Sequence, residues 1–446
     1  MTYFVSMALP AAVLLACAPT LGLAADPATA APATEETWAV RGQATFVQQA
    51  HLAFHSPYRG LNSLAPDAGG RETFDLTFYA GVRPWAGGEI WINPEIDQGF
   101  GLSNTLGVAG FPSGEAYKVG KKNPYPKLPR LFLRQTVDLG GEVQKVDPDL
   151  NQLGGSQTAD RLVLTVGKFS VVDVFDTNQY AHDPRQDFLN WAVIDVGTFD
   201  YAANAWGYTY GAAAELYRGR WTVRAGLFDL SKVPNSARLD DTFGQFQAIG
   251  ELEERHEIAG QPGKLKVTVF QTRGRMGRYA DAISLAQATG QVADVSAVRE
   301  YRSRRGLSVN LEQQLSQDLG VFLKAGVAGG GAEAYEFADI DRTTAAGLSV
   351  KGERWSRADD TWALAGVVNG ISHVHQLYLA DGGLGILVGD GRLPHPGDEQ
   401  ILETYYDVEV AKPLHMSVDY QFVNHPAYNR DRGPVSIGAV RLHAQF

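Results

Sequence analysis

The side chains of this chain with chemistry to offer fall into two sets. One is a series of charged and amide residues set among apolar neighbours: Asp75, Arg83, Glu89, Asn93, Glu95, Arg130, Arg134, Glu215, Arg224, Glu251 and Lys266. On extended strands such residues project from one face. Cations and anions facing each other across a narrow aqueous bore create a transverse field, which orients polar solutes and sets ion preference. The competing reading for each is mutual pairing that merely satisfies a polar wall. Arg130 and Arg134 share a strand face and are expected at or near the narrowest point. The second set lies between Ser170 and Trp206: Asp173, Asp176, Asp183, Arg185, Asp187, Asp195 and Asp200 with Tyr180, Trp191, Tyr201 and Trp206. Carboxylates accept hydroxyl hydrogen bonds and aromatic rings stack on C–H patches, so such a loop folded into a bore suits sugars. Asp176, Tyr180, Asp183, Arg185, Trp191 and Asp195 are its candidate constriction residues; the competing reading is a solvated external cap.

Other clusters promise less. His373 and His375 are two apart and would share a strand face, but no carboxylate lies close in sequence, so an adventitious surface pair is expected and no metal site. Arg299, Arg302, Arg304 and Arg305 cluster before an expected strand, with the chemistry to hold lipopolysaccharide phosphates at an outer rim or simply to line a solvated loop. Val119-Gly120-Lys121-Lys122 lacks the glycine spacing and the Ser/Thr of a phosphate loop. Ser, His and Asp are present, but none sits in a nucleophile motif such as Gly-x-Ser-x-Gly. Neither catalysis nor a cofactor is expected.

The elements that position these residues follow from a two-residue rhythm. In 73–83, Phe74, Leu76, Phe78, Ala80 and Val82 alternate with Thr73, Asp75, Thr77, Tyr79 and Arg83, which an extended strand sends to opposite faces of a sheet. The rhythm returns around Arg130 to Leu139, Thr222 to Leu227, Leu265 to Val269, Leu307 to Glu312, Tyr405 to Val410 and Ser417 to Phe422. About sixteen such segments run from Thr37 to the end. Long gaps begin near His51, Gln98, Val171, Lys232, Gly274, Gly330, Gly370 and Asn424, and mostly short links such as Arg218-Gly219 lie between them. The link from Gly140 to Asp160 is longer than this pattern expects. A secreted β-sandwich also alternates, but polarity persisting on one face of so many segments argues for an all-β, transmembrane, antiparallel up-and-down barrel with long external loops and short periplasmic turns.

Composition agrees. The chain has 446 residues, 49 Gly and a net charge of −11, and an acidic surface is repelled by phosphate backbones, so nucleic acid is not an expected partner. No apolar run long enough for a spanning helix occurs beyond the N-terminus. Residues 1–25 read as a signal peptide, with Gly22-Leu23-Ala24 before the cleavage point, though no Lys or Arg precedes the apolar run. In the alternative reading, Leu14-Leu15-Ala16-Cys17 is a lipoprotein box acylated on Cys17, the single cysteine. Residues 26–36 form a flexible Ala/Pro/Thr-rich tether and 37–446 the barrel.

Several longer stretches carry a resemblance. Asn93-Pro94-Glu95-Ile96-Asp97-Gln98-Gly99-Phe100-Gly101, Gly110-Phe111-Pro112-Ser113-Gly114-Glu115-Ala116, Tyr180-Ala181-His182-Asp183-Pro184-Arg185 and Phe188-Leu189-Asn190-Trp191 resemble the carbohydrate-selective (OprB-like) porins. So do Gly207-Tyr208-Thr209-Tyr210-Gly211, Gly385-Ile386-Leu387-Val388-Gly389-Asp390-Gly391 and Asn424-His425-Pro426-Ala427-Tyr428-Asn429-Arg430-Asp431. The resemblance spans about 41–446. It implies a 16-stranded barrel of the cell outer membrane admitting small carbohydrates by passive diffusion, surrounded by lipid and lipopolysaccharide. Association into a homotrimer is a further expectation. The final strand, in which Val440, Leu442, Ala444 and Phe446 alternate with Arg441, His443 and Gln445, is similar to the signal read by the barrel assembly machinery. The alternatives are a porin for ions or amino acids, an outer-membrane barrel enzyme and a plugged structural barrel.

Overall fold

The computed structural model describes residues 35–116 and 120–446. The signal peptide, Cys17, most of the tether and Val119 lie outside the described residues. Sixteen strands pair in chain order into one closed antiparallel barrel. They are β1 (Trp38–His51), β2 (Gly69–Trp85), β3 (Gly88–Gly99), β4 (Lys121–Val146), β5 (Gly155–Phe169), β6 (Thr209–Arg218), β7 (Trp221–Asp229) and β8 (Phe246–Ile258). Then follow β9 (Gln261–Met276), β10 (Glu300–Ser316), β11 (Leu319–Ala328), β12 (Arg342–Gly352), β13 (Arg357–Gly370), β14 (Glu399–Ala411), β15 (Leu414–Asn424) and β16 (Val435–Gln445). Even the shortest, β7, has 9 residues, enough to cross a bilayer when tilted.

Closure satisfies the last backbone edge. β1 pairs with β16 from Gln43↔Gln445 to His51↔Ile437, and Gly42 and Phe446 exchange both backbone hydrogen bonds, at 2.7 and 2.9 Å. The Phe446 ring lies over Gly42, where a Cβ would come within 2.6 Å of it. Gly42→Val is therefore expected to displace the terminal ring and cost about 1–3 kcal/mol of overpacking, seen as a lower urea midpoint of the folded barrel.

All eight long gaps become loops at one end: L1 (52–68), L2 (100–116 and 120 of its described residues), L3 (170–208), L4 (230–245), L5 (277–299), L6 (329–341), L7 (371–398) and L8 (425–434). The opposite end carries turns, most of them two to four residues long, and outward tryptophans, Trp38, Trp85, Trp221 and Trp355, exposed at the level where such rings favour a membrane interface. The Gly140–Asp160 link proves to be mostly strand. β4 and β5 continue pairing past bulges at Gly140 to Val146↔Gly155, leaving only 147–154 as a turn.

The predicted faces hold: Phe74, Leu76, Phe78, Ala80 and Val82 project outward while Thr73, Asp75, Thr77 and Tyr79 are buried inside. One expectation needs correction. The inner face is not uniformly polar, for Trp91, Phe132, Phe169, Phe228, Phe270, Phe322 and Tyr405 all point inward and are buried. Rings of L3 folded into the bore pack on Phe228, Phe270, Phe322 and Tyr405, so part of the core sits inside the barrel. Glycines opposite these rings leave the room they need: a Cβ on Gly81 would meet Trp91 at 2.5 Å, and one on Gly306 would meet Phe270 at 2.1 Å.

Candidate functional site: a loop-lined passage through the barrel

A loop inside a bore carries backbone N–H and C=O groups that must find partners. L3 finds them on the wall, strand after strand. Glu251 on β8 accepts the Asp176 N–H at 2.9 Å, and Lys266 on β9 donates to Thr177 Oγ1 at 2.9 Å. Glu312 on β10 accepts the Gln179 N–H at 2.8 Å, and Lys324 on β11 donates to the carbonyls of Ala181 and Ile194 at 2.8 and 2.6 Å. Glu403 on β14 accepts the Leu189 N–H at 2.6 Å. Arg441 on β16 donates to the carbonyls of Pro184, Gln186 and Asp187 at 2.7, 3.0 and 2.7 Å. L3 is thus strung around the lumen.

Apolar packing completes the attachment. Phe188 meets Tyr405 and Phe322 edge-on at 5.0 and 5.8 Å, Phe199 meets Phe270 at 5.3 Å, and Phe175 meets Phe228 at 6.0 Å. L2 enters the bore as well. Phe111 stacks on Trp191 at 5.3 Å, and Glu399 on β14 accepts the N–H groups of Ala109 and Gly110 at 3.0 and 2.8 Å.

Between L3 and the wall of β2 to β7 remains a cavity of about 1060 Å³. Six of the wall residues expected from sequence open onto it: Arg83, Glu89, Arg130, Arg134, Glu215 and Arg224. Four of the loop residues do so too: Asp183, Arg185, Trp191 and Asp195. Arg130 grips Asp173 with two bonds, 2.8 and 2.6 Å, and lies 5.0 Å over the Tyr208 ring. Arg134 donates to the Asn151 carbonyl at 2.7 Å and stands 3.5 Å from Glu89, which also pairs with Arg83 at 3.1 Å. Arg224 is held by Glu215, Glu251 and Glu253 at 2.8, 2.8 and 2.9 Å.

The other expected residues point inward but are covered. Asp75 stands 3.4 Å from Arg185, and Glu95 accepts from Thr77 Oγ1 at 2.7 Å and pairs with Lys127 at 3.0 Å. Asn93 donates to Asn151 at 3.0 Å. Glu251 and Lys266 hold L3 as described. Asp176 staples the loop to itself and to β10, accepting from Val196 N–H and Asn310 Nδ2, both at 2.7 Å. Tyr180 lies over Gly320, beside a second cavity of about 580 Å³ on the opposite wall. Arg185 and Gln186 border both cavities.

The residues that reading by alternation missed are mostly aromatic or basic side chains brought to the large cavity by neighbours in space. Arg161 stacks on Tyr217 at 3.8 Å, and Tyr208, directly before β6, joins Trp206 on its wall. The weak signal was the two-residue alternation of β5, in which Arg161, Val163 and Thr165 share a face. The turn 147–154 folds across the short-turn mouth. Arg41 donates to the Asp149 and Gln152 carbonyls at 2.9 and 3.2 Å, and Glu36, the last residue of the expected tether, accepts the Gly154 N–H at 2.7 Å.

Two other clusters are corrected. His373 and His375 lie on a helix, His373–Ala380, not a strand; His375 is buried, 3.3 Å from Asp341 and stacked on Tyr279 at 4.2 Å. The arginines 302–305 lie on β10 itself. Arg299 pairs with Glu333 at 2.7 Å, Arg302 with Asp281 and Glu300 at 3.0 Å, and Arg304 turns inward to Asp200 and Asp341 at 3.3 and 3.4 Å. Only Arg305 of this group faces outward.

The electrostatics of L3 are set by burial and its neighbours. Burial, with repulsion from Asp176 and partial relief from Lys324, pushes the Asp195 carboxyl up to about 8. Burial likewise raises Asp187 to about 6. Burial opposes charge on Asp183 too, but Arg185 and its backbone N–H outweigh it and hold that carboxyl below its ordinary value. Asp195 is thus neutral at pH 7 and acquires its negative charge as pH rises through about 8. Preference for cations over anions in bilayer recordings is expected to grow between pH 7 and 9, and Asp195→Asn to remove that step. A wild-type profile flat over this range would contradict the assignment.

The large cavity is walled by paired ions and aromatic rings. The model of the carbohydrate-selective porin, OprB family, matches residues 62–446. Among solved structures, the chain is similar to OprB of Pseudomonas putida at high pH, with 14% identity over 92% of this chain and 94% of that one and a TM-score of 0.70. The low-pH structure of the same protein gives 11% identity, coverage of 92% and 93%, and a TM-score of 0.50. At these identities the solved structures speak for the fold. No curated protein matches the chain in sequence.

Proposed function

Since the chain belongs to the OprB family of carbohydrate-selective porins, and is accordingly an outer-membrane porin, we propose that small sugars cross it along the cavity between L3 and the wall of β2 to β7. The long-loop end faces the exterior and the short turns face the periplasm, the usual order in such barrels. An N-terminal signal peptide exports the chain, the Phe446 strand is the handle for the assembly machinery, and three copies form the working unit. The observation that carries the pathway is the lining itself. Trp206, Tyr208 and Tyr217 line it together with ion pairs such as Arg130–Asp173 and Arg224–Glu215, Arg130 lying over Tyr208 and Arg224 over Tyr217. A sugar slides its C–H faces over the rings and exchanges hydroxyl hydrogen bonds with the paired ions. Each contact stays weak, because a site that holds too tightly also blocks release. Diffusion down a gradient needs no covalent step.

Liposome swelling with a graded series of mono- to trisaccharides tests this. Rates are expected to exceed those of size-matched solutes lacking the hydroxyl pattern, and Trp206→Ala with Tyr208→Ala to erase much of that advantage. Swelling that tracked solute mass alone, whatever the chemistry, would leave a pore without sugar preference.

A further inference from the structure

On the outer surface of the barrel the aliphatic rows give way to a compact cationic patch on β9 and β10. Val267, Val269 and Leu307 face outward and are exposed. The next outward positions toward the long-loop end are Gln271, Arg273 and Arg275 on β9 and Arg305, Ser303 and Tyr301 on β10. The register sets Arg305 beside Gln271, Ser303 beside Arg273 and Tyr301 beside Arg275. Arg273 and Arg275 are therefore one same-face step apart, about 7 Å, and Arg305 lies on the diagonal from Arg273, about 7–8 Å away.

All three arginines are exposed. Among the described residues none of them is in an ion pair, whereas Arg299, Arg302 and Arg304 close by all have carboxylate partners. Arg305 donates to Gln271 Oε1 at 2.8 Å. An acidic chain of net charge −11 has carboxylates to spare, yet supplies none here. Three guanidiniums set just above a hydrocarbon-facing surface, with one tyrosine at the same height, match a phosphate layer over acyl chains.

We infer that Arg273, Arg275 and Arg305 form a binding site for the phosphate groups of a phosphorylated glycolipid of the outer leaflet, whose acyl chains lie on Val267, Val269 and Leu307. The planar guanidinium forks bond phosphate oxygens in pairs, and the spacing lets one phosphate be shared between two arginines.

The test uses the whole barrel purified in a neutral detergent, with diphosphorylated lipid A as probe and native mass spectrometry as readout. The wild type is expected to bind, and R273Q/R275Q/R305Q to bind at least about tenfold more weakly, from the loss of charge-assisted hydrogen bonds. Dephosphorylated lipid A is expected to bind wild type and variant equally poorly, and millimolar inorganic phosphate to leave the bound lipid in place. Equal binding of lipid A by wild type and triple variant overturns the proposal. So does binding of the dephosphorylated lipid to the wild type as tightly as the phosphorylated one, which would mean that acyl chains alone hold it. Displacement by inorganic phosphate would make this a free-anion site, and would overturn the lipid assignment. If the triple variant does not fold, R273Q and R305Q singly carry the test: each is expected to weaken binding several-fold, and wild-type binding by both overturns it.

Discussion

Asp200→Ala is expected to loosen the loops inside the bore and to lower the stability of the folded barrel by about 3–5 kcal/mol, the usual cost of stripping one partner from a buried ion pair. Asp200 lies on L3 and is fully buried. Its Oδ2 accepts the Tyr335 N–H at 2.6 Å and stands 3.3 Å from Arg304. Its Oδ1 accepts the N–H groups of Glu336 and Phe337 at 2.9 and 3.0 Å. One carboxylate thus ties L6 to L3 and balances an inward arginine on β10. Alanine leaves four backbone donors, the Ala338 N–H at 3.4 Å included, without this acceptor and shifts the burden of Arg304 onto Asp341. A fall in the urea midpoint, with noisier single-channel current from wild-type-sized pores, would bear this out. Quiet current and an unchanged midpoint would show that L6 and L3 are held elsewhere.

The double variant Arg130→Ala, Arg134→Ala is expected to turn the passage toward cations. Both side chains open onto the large cavity. Removing Arg130 uncovers the Asp173 carboxylate it grips, and removing Arg134 leaves Glu89 to Arg83. Two positive charges vanish and one negative charge is unmasked on the wall of a narrow bore. At about 1 kcal/mol per charge contact even in fully aqueous surroundings, the cation-to-anion permeability ratio should rise by roughly fivefold. Both arginines also lie on aromatic rings, Tyr208 and Phe132, at 5.0 and 5.2 Å, so conductance should grow as their bulk leaves. Bilayer conductance and reversal potentials read both effects. If neither changes, these residues are not at the narrow part of the pathway.

Much of the candidate site was legible residue by residue, and much of its arrangement was not. Alternation placed Asp75, Glu95, Glu251 and Lys266 on the inner face, but an inner face has two uses. Asp75, Glu95, Glu251 and Lys266 serve largely to hold L3 or neighbouring side chains, while Arg130, Arg134 and Arg224 border open space. Nothing in the local sequence separates the two groups, because the difference is whether L3 passes in front of them. His373 and His375 show the complementary failure. A spacing of two suits a strand, yet the Ser372 side chain accepts the His375 N–H and caps a helix there.

What the sequence determined by itself is the sheet. Side chains that alternate strictly between greasy and wettable specify a strand with two solvents, and eight long gaps between short links specify which strand neighbours which. These are local properties, carried by every segment independently. What only the tertiary structure decided is the shape of the space inside. Phe228, Phe270, Phe322 and Tyr405 break the polar inner face because Phe175, Phe199 and Phe188 arrive on L3, from positions remote in the chain, to cover them. The bore is whatever volume those long-range contacts leave unfilled, and a void has no residues of its own to announce it.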